Sequence, residues 1–275
     1  MAFATGEGSN RLAVNTTAIP IVLVASGTAT AASETYQEMD AAFRRQFPAH
    51  AICWAFSSNA IRKRIKAQGG RDLETPAAVM AALAARGYRE AVVQSLHLIC
   101  GQEFHHMVWE AAKSPLAVKI GLPLLSHPED FDDVTDWMAT LVPQDPRGAL
   151  VMVGHGTAHP SWMTYDVLLR RMVDVFQQRV LLGLIKGDPG PVQVARVLKQ
   201  ADFERVTLRP FMLVAGAHFG QDIAKARSGS WKTELEKAGL AVMPRAEGMG
   251  LAPAIQKIFF RHIEAALTTQ PLDLT

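Results

Sequence analysis

The sequence predicts an α/β protein of two similar lobes, each a roughly four-stranded parallel sheet flanked by helices. One observation is that short apolar runs alternate with helical patterns along the 275 residues, which is typical of parallel sheets with right-handed crossovers. The other is an internal repeat, since residues 22–29 and 151–158 are identical at five of eight positions. Ligands of such folds bind at the carboxyl ends of the strands, so we expect the active site in a cleft between the lobes.

Eight apolar runs have the length and composition of buried parallel strands. The predicted strands are residues 19–25, 51–56, 90–99, 118–124, 149–153, 180–185, 206–215 and 240–244. Between them, apolar residues recur at helical spacing, and Thr75-Pro76 combines a capping residue with proline in the first turn. The predicted helices are residues 32–46, 60–68, 76–87, 101–113, 128–141, 165–178, 192–200, 233–237 and 252–266.

The same pattern predicts how the chain divides. Residues 1–18 are polar and contain glycine and serine, so we expect a flexible tail. Residues 19–143 form the predicted N-terminal domain and residues 149–251 the C-terminal domain. The polar, proline-containing stretch 142–148 is the predicted linker.

Composition excludes several classes of protein. Apolar residues make up 49% of the chain, which is typical of a globular protein with a substantial core. The net charge of +2 is too small to argue for nucleic-acid binding, and no apolar run approaches the length of a membrane span.

The N-terminus has no apolar signal core, which predicts a cytoplasmic protein, or a periplasmic one if the chain is a processed form. Cys53 and Cys100 each end an apolar run and are predicted to be separate thiols.

Histidines near the predicted strand ends are the candidates for chemistry. His155 follows an apolar run between two glycines, and His97 and His218 are placed at the ends of two other predicted strands. Glu103 follows shortly after His97. Two imidazoles and a carboxylate suit a divalent first-row metal, and they equally suit proton abstraction near neutral pH. For a single histidine, the alternative is a loop residue with a structural hydrogen bond.

The remaining histidines have weaker signals. His97 itself fits either a core-edge residue or a ligand at a subunit contact. His105 and His106 lie beside Glu103 on a predicted helix and are assigned to the surface or to supporting contacts. Three further histidines are predicted to be structural: His127, His159 and His262. The cationic stretch 62–66 fits a solvated helix face, or a surface that attracts a polyanion.

Several motifs together resemble a known family. They are Gly154-His-Gly-Thr157, Gln94-Ser-Leu-His97, Gly101-Gln-Glu-Phe104, residues 118–126 and Leu213-Val-Ala-Gly-Ala-His218. At these motifs the sequence resembles the sirohydrochlorin cobalt chelatases of anaerobic cobalamin synthesis, which belong to the class II chelatases. The resemblance extends over about residues 19–267.

The resemblance implies a lyase that inserts Co²⁺ into sirohydrochlorin, releases two protons and needs no ATP. The alternatives are Fe²⁺ insertion and a haem or metal carrier on the same scaffold. By position, His155 and His218 are implied to bind the metal and accept protons, and Glu103 to be the active-site glutamate. His97 matches a histidine that ligates haem at a subunit interface in some members. The family also implies a homo-oligomer, and a C-terminal helix, residues 252–267, that packs on the first domain.

One position departs from the family pattern. After the predicted strand 180–185 the family usually has a glutamate that joins the two histidines on the metal, whereas this chain has Lys186. A lysine there would repel a divalent cation or point away from it. Glu103 and Asp188 are the candidates to replace the missing carboxylate.

Overall fold

A computed structural model describes residues 18–70 and 72–272, and residues 1–17 of the predicted tail lie outside the described residues. It contains two four-stranded sheets in which every pairing is parallel, with strand orders β2-β1-β3-β4 and β6-β5-β7-β8. The predicted fold class is therefore confirmed. The strands are β1 (Ile21–Ala25), β2 (Ile52–Phe56), β3 (Glu90–Ser95), β4 (Ala117–Gly121), β5 (Gly148–Gly154), β6 (Val180–Leu184), β7 (Arg205–Pro210) and β8 (Ala241–Pro244).

Helices cover the faces of both sheets. They are α1 (Glu34–Gln46), α2 (Asn59–Ala67), α3 (Pro76–Ala85), α4 (Gln102–Ala112), α5 (Pro128–Ala139), α6 (Met163–Phe176), α7 (Pro191–Gln200), α8 (Trp231–Lys237) and α9 (Pro253–Thr268). Thr75 caps α3 by accepting a hydrogen bond from the backbone of Ala78, as its sequence context predicts. Within the two described ranges, no helix is both long and apolar enough to cross a bilayer. Cys53 and Cys100 are both free thiols, as predicted.

The two lobes repeat one topology. The first strand of each lobe, β1 or β5, lies in the interior of its sheet between the next two strands of the chain. The turn after each first strand contains a glycine with positive φ, +92° at Gly27 and +75° at Gly156. These glycines occupy matching positions in the repeat at residues 22–29 and 151–158. The local sequence similarity therefore reflects a shared strand-and-turn geometry.

Successive side chains of the central strands point to opposite faces of the sheet, and this divides the apolar core into separate clusters. In β1, Ile21 and Leu23 face a core between the two sheets, whereas Val22 and Val24 face the opposite side. In β5, the residues that face the shared core are Leu150 and Met152. Because both sheets contribute to one apolar cluster, burial of that cluster holds the lobes together. The division of the chain into domains at 142–148 stays a prediction.

The last helix returns to the first lobe. α9 follows the second sheet in sequence but contacts β3, β4, α1 and α5. The rings of Phe43 and Phe260 meet edge to face at 5.0 Å, and Lys119 Nζ donates to the carbonyl of Leu267 at 3.3 Å. The polypeptide therefore crosses between the lobes twice.

Two strands end earlier than the sequence predicts. β3 ends at Ser95, and the residues beyond it keep single backbone hydrogen bonds, such as that from Leu96 to the carbonyl of Val24 at 2.8 Å, without continuing as a strand. β7 stops at Pro210, which has no backbone N–H to extend the ladder. The expectation that His97 and His218 sit on strand ends is therefore corrected, since His97 lies in the loop after β3 and His218 in a helical turn after β7.

Candidate active site

His155 lies in a turn whose next residue, Gly156, can only be glycine. It follows β5 directly, and a Cβ added to Gly156 would lie 1.7 Å from the carbonyl oxygen of Lys186. The backbone N–H of Lys186 in turn donates to the carbonyl of His155 at 2.9 Å. The close approach of these two loops fixes the backbone that carries the imidazole.

His218 meets His155 at the edge of the second sheet. The two ring centroids are 4.7 Å apart with an interplanar angle of 70°. His218 immediately precedes a π-helical turn, Phe219–Ile223, a form of helix that often marks functional sites. Upstream, a Cβ on Gly216 would lie 2.8 Å from the hydroxyl of Thr28, so this loop also touches the first lobe. The structure thus brings the two predicted histidines together beside a contact between the lobes.

The hydrogen bonds of both imidazoles select the same tautomer. His155 Nδ1 lies 3.0 Å from the carbonyl oxygen of Gly156, and His218 Nδ1 lies 2.7 Å from Oδ2 of Asp222. A carbonyl and a carboxylate only accept hydrogen bonds, so each Nδ1 must donate. Each neutral ring then keeps a lone pair on Nε2, which is the atom able to bind a metal or take up a proton.

Burial favours the neutral form of His155. Its pKa is lowered chiefly by burial, and the hydrogen bond to Gly156 opposes this effect. Electrostatic interactions with His218 and Lys186 lower the pKa further, whereas the negative charge of Glu103 raises it. An unprotonated imidazole is the form that metal binding requires.

Glu103 lies in the first turn of α4, where the helix dipole favours a negative charge. Its Oε2 accepts hydrogen bonds from the hydroxyl of Ser26 and, at 3.5 Å, from that of Ser57, and it lies 3.1 Å from Nε2 of His97. Burial raises the pKa of Glu103, but these hydrogen bonds and the His97 charge outweigh it and lower the pKa overall. The Glu103 side chain is 46% exposed, so the carboxylate is partly accessible to solvent.

His97 is a supporting residue in this structure. Its side chain is 9% exposed, its Nδ1 lies 2.8 Å from the Ser95 hydroxyl and its Nε2 faces Glu103. This arrangement matches the core-edge alternative. Both ring nitrogens are engaged within the first lobe.

Lys186 and Asp188 lie on the loop after β6. Lys186 is exposed, and its charge acts on His155 as described above. Asp188 is also exposed and accepts a hydrogen bond from Gln193 at 2.9 Å. Glu103 is the carboxylate whose charge acts on His155, so it is the better candidate to complete the histidine pair.

Sequence reasoning did not identify two residues of the site. Ser26 donates a hydrogen bond to Glu103. The internal repeat could have identified Ser26, because Ser26 aligns with His155. Asp222 holds His218, and its signal is the four-residue spacing that places both side chains on one helical face.

Other histidines take the supporting roles expected of them. The His105 and His159 rings lie 5.0 Å apart and join α4 to the loop before α6, while the exposed His106 stacks on Trp109. His127 and His262, with Asp130, form a trio whose potential ligand atoms lie within 4.8 Å of one another.

This trio is better explained as a structural tie than as a metal centre. Asp130 accepts hydrogen bonds from the backbone of Ser126 and His127 at 3.0 and 2.7 Å, and from Arg261 at 2.6 Å. His262 Nε2 lies 3.1 Å from the same carboxylate, and its Nδ1 lies 3.0 Å from the carbonyl of Leu122. The Asp130 carboxylate already has four hydrogen-bond partners, and the guanidinium of Arg261 beside it would repel a metal cation. The contacts fasten α9 to the start of α5.

A separate cleft of about 510 Å³ opens between α5 and α6. It is lined by Cys100, Leu125, Ser126, His127, Pro128, Phe131, Met163, Thr164, Val167 and Arg171. None of the four predicted site residues borders it.

Comparison with known proteins identifies the family. A family model described as cobalt chelatase (CbiK) matches residues 18–268. The chain belongs to this family. It is 33% identical over 218 residues to the sirohydrochlorin cobaltochelatase of Salmonella typhimurium, an alignment covering 78% of this chain and 82% of that protein. It is 30% identical over 258 residues to the sirohydrochlorin cobaltochelatase CbiKC of Nitratidesulfovibrio vulgaris, with 90% of each chain covered.

Solved structures support the fold. SirB from Bacillus subtilis with Fe³⁺ superposes with a TM-score of 0.63 at 15% identity, covering 93% of this chain and all (100%) of that one. CbiX, titled the terminal enzyme for biosynthesis of siroheme in denitrifying bacteria, gives a TM-score of 0.54 at 17% identity, covering 91% and 100%. The fold of these solved structures is thus the two-lobed architecture described above for this member of the cobalt chelatase family.

Proposed function

We propose that this member of the cobalt chelatase family inserts Co²⁺ into sirohydrochlorin, releases two protons and uses no ATP. The two relatives described above carry sirohydrochlorin cobaltochelatase in their names. The observation that carries the proposal is the pair of imidazoles 4.7 Å apart, each with its Nδ1 beside a hydrogen-bond acceptor, together with Glu103, whose pKa is lowered.

His155 and His218 are the proposed ligands of the incoming metal ion. Neutral imidazole is a good ligand for divalent first-row metals, and the ion stays labile because few protein atoms hold it. Imidazole and carboxylate accept Co²⁺ and Fe²⁺ alike, so Fe²⁺ insertion is the alternative reaction. The metal is a substrate and leaves the protein inside the product.

The proposed proton transfers balance the reaction. The macrocycle brings two pyrrole N–H protons and leaves with Co²⁺ bound to its four nitrogens. The positive charge of the ion lowers the pKa of the pyrrole N–H groups as it approaches. When Co²⁺ passes from the protein to the macrocycle, the lone pairs on Nε2 of His155 and His218 become free to accept those protons. Glu103 assists the transfer to solvent, since it is ionised and partly exposed.

Haem ligation by His97 stays a prediction, and in the described structure both of its ring nitrogens have hydrogen-bond partners. An axial bond to iron would require Nε2 to leave Glu103. The homo-oligomeric state and the cytoplasmic location stay predictions.

The decisive experiment compares metal insertion by single variants of the full chain. His155→Ala and His218→Ala are each expected to abolish Co²⁺ insertion into sirohydrochlorin, measured by the change in the visible spectrum of the macrocycle. His106→Ala is the matched control, because that histidine is exposed and stacks on Trp109 outside the site. Far-ultraviolet circular dichroism checks that each variant is folded. Full activity in a folded His155→Ala protein would refute the proposed role, and the same assay with Fe²⁺ tests the alternative metal.

A further inference from the structure

We propose that Asp222 is a positioning residue that holds His218 in the tautomer able to bind the metal ion, and that Arg227 occupies the other oxygen of the Asp222 carboxylate. The inference rests on the proposed function in one respect, namely that His218 is a metal ligand. It assigns a role to two side chains beyond the predicted site residues.

The geometry gives each oxygen of the Asp222 carboxylate its own donor. His218 Nδ1 lies 2.7 Å from Oδ2, and Arg227 donates to Oδ1 at 2.8 Å. Arg227 is itself anchored, since its Nε donates to the carbonyl of Gln221 at 2.8 Å. The π-helical turn Phe219–Ile223 brings Asp222 back beneath the histidine. The carboxylate is thereby held in one orientation.

The two histidines are held by different means. His155 donates to a backbone carbonyl in its own glycine turn, which a side-chain substitution would not remove. His218 depends on a side chain from the following turn of helix. Metal-binding histidines commonly donate their second N–H to a carboxylate, which orients the ring and fixes the tautomer. The dependence of His218 on Asp222 can therefore be tested by mutation.

The arginine makes asparagine an informative replacement. A guanidinium only donates hydrogen bonds, so in Asp222→Asn the amide oxygen would turn toward Arg227. The amide NH₂ would then face His218 Nδ1, which must become an acceptor. The ring proton moves to Nε2, and the lone pair that binds the metal is lost. Removing the guanidinium with Arg227→Ala would let the amide rotate and restore the original tautomer.

The experiment titrates each full-length protein with Co²⁺ alone and follows the visible absorption of the bound ion. Asp222→Asn is expected to weaken Co²⁺ binding by about 10- to 100-fold. Arg227→Ala should bind nearly as well as the wild type, and the double variant should recover most of the loss. Two-bond ¹H–¹⁵N correlation spectra of the metal-free proteins report the tautomer of His218 directly. Asp174→Asn is the control, because Asp174 is an exposed carboxylate on α6 of the same lobe.

Two results with the Asp222→Asn variants would overturn the proposal. One is wild-type Co²⁺ affinity in Asp222→Asn, and the other is a double variant as weak as Asp222→Asn alone. The insertion assay separates this proposal from the function itself. If the wild type binds Co²⁺ in an Asp222-dependent way but inserts none into sirohydrochlorin, the positioning role stands and the assigned reaction fails. If His218→Ala binds Co²⁺ as tightly as the wild type, the ligand role fails and the positioning role with it.

Discussion

The turn at Gly156 offers a test with an internal control, because the same turn occurs at Gly27 in the first lobe. Both glycines have positive φ, +75° at Gly156 and +92° at Gly27. Their surroundings differ. A Cβ at position 156 would lie 1.7 Å from the backbone oxygen of Lys186, whereas a Cβ at position 27 would come no closer than 3.3 Å to the side chain of Phe56. Alanine at either position incurs the backbone penalty, and alanine at 156 adds a backbone clash.

The magnitudes follow from these contacts. The left-handed conformation costs an alanine about 1–2 kcal/mol, which is the whole expected loss for Gly27→Ala. At position 156 the Lys186 loop must also withdraw, and this breaks the backbone hydrogen bonds from Lys186 to His155 and from Ile185 to Gly154, both 2.9 Å long. Each contributes about 0.5–1.5 kcal/mol. Gly156→Ala should therefore lower the free energy of unfolding by about 2–5 kcal/mol.

Urea unfolding followed by circular dichroism measures both losses, provided that the m-value stays constant. Co²⁺ titration of the two variants provides a second readout, since only Gly156→Ala displaces the backbone that carries His155. Equal destabilisation at the two positions would refute the reasoning, because it would mean that the Lys186 loop moves away without cost.

Two further predictions concern charge. Burial raises the pKa of Asp130, but hydrogen bonds from His262, the His127 backbone and Arg261 lower it overall to about 2, below its usual 3.8. Ionised Asp130 therefore contributes about 2 kcal/mol to the free energy of unfolding. This contribution is complete above about pH 4 and is lost as the pH falls toward 2. Urea unfolding should show the gap between wild type and Asp130→Asn closing over that range, and a constant gap would contradict this. Lys186→Glu should tighten Co²⁺ binding by about tenfold or more, because a cation is replaced by a carboxylate; unchanged affinity in a Co²⁺ titration would show that this side chain points away.

The predictions that held depend on local signals. Apolar runs of strand length are local, and eight of them predicted the eight strands of two parallel sheets. The Gly-His-Gly turn is also local, because glycine at position 156 permits the positive φ of the turn. Strand ends were less accurate at β3 and β7. The extent of a strand depends on pairing with neighbours that are distant in sequence, although Pro210 at the end of β7 is a local signal.

The sequence by itself determined the two-lobed α/β fold and marked His155, His218, Glu103 and His97 as candidates. Only the tertiary structure decided which partners these side chains have. Ser26 reaches Glu103 across 77 residues, and His97 turns inward to Glu103. The physical reason is that a hydrogen bond forms only when the donor–acceptor distance is correct to within a few tenths of an ångström. Between segments distant in sequence, packing of the whole molecule sets that distance.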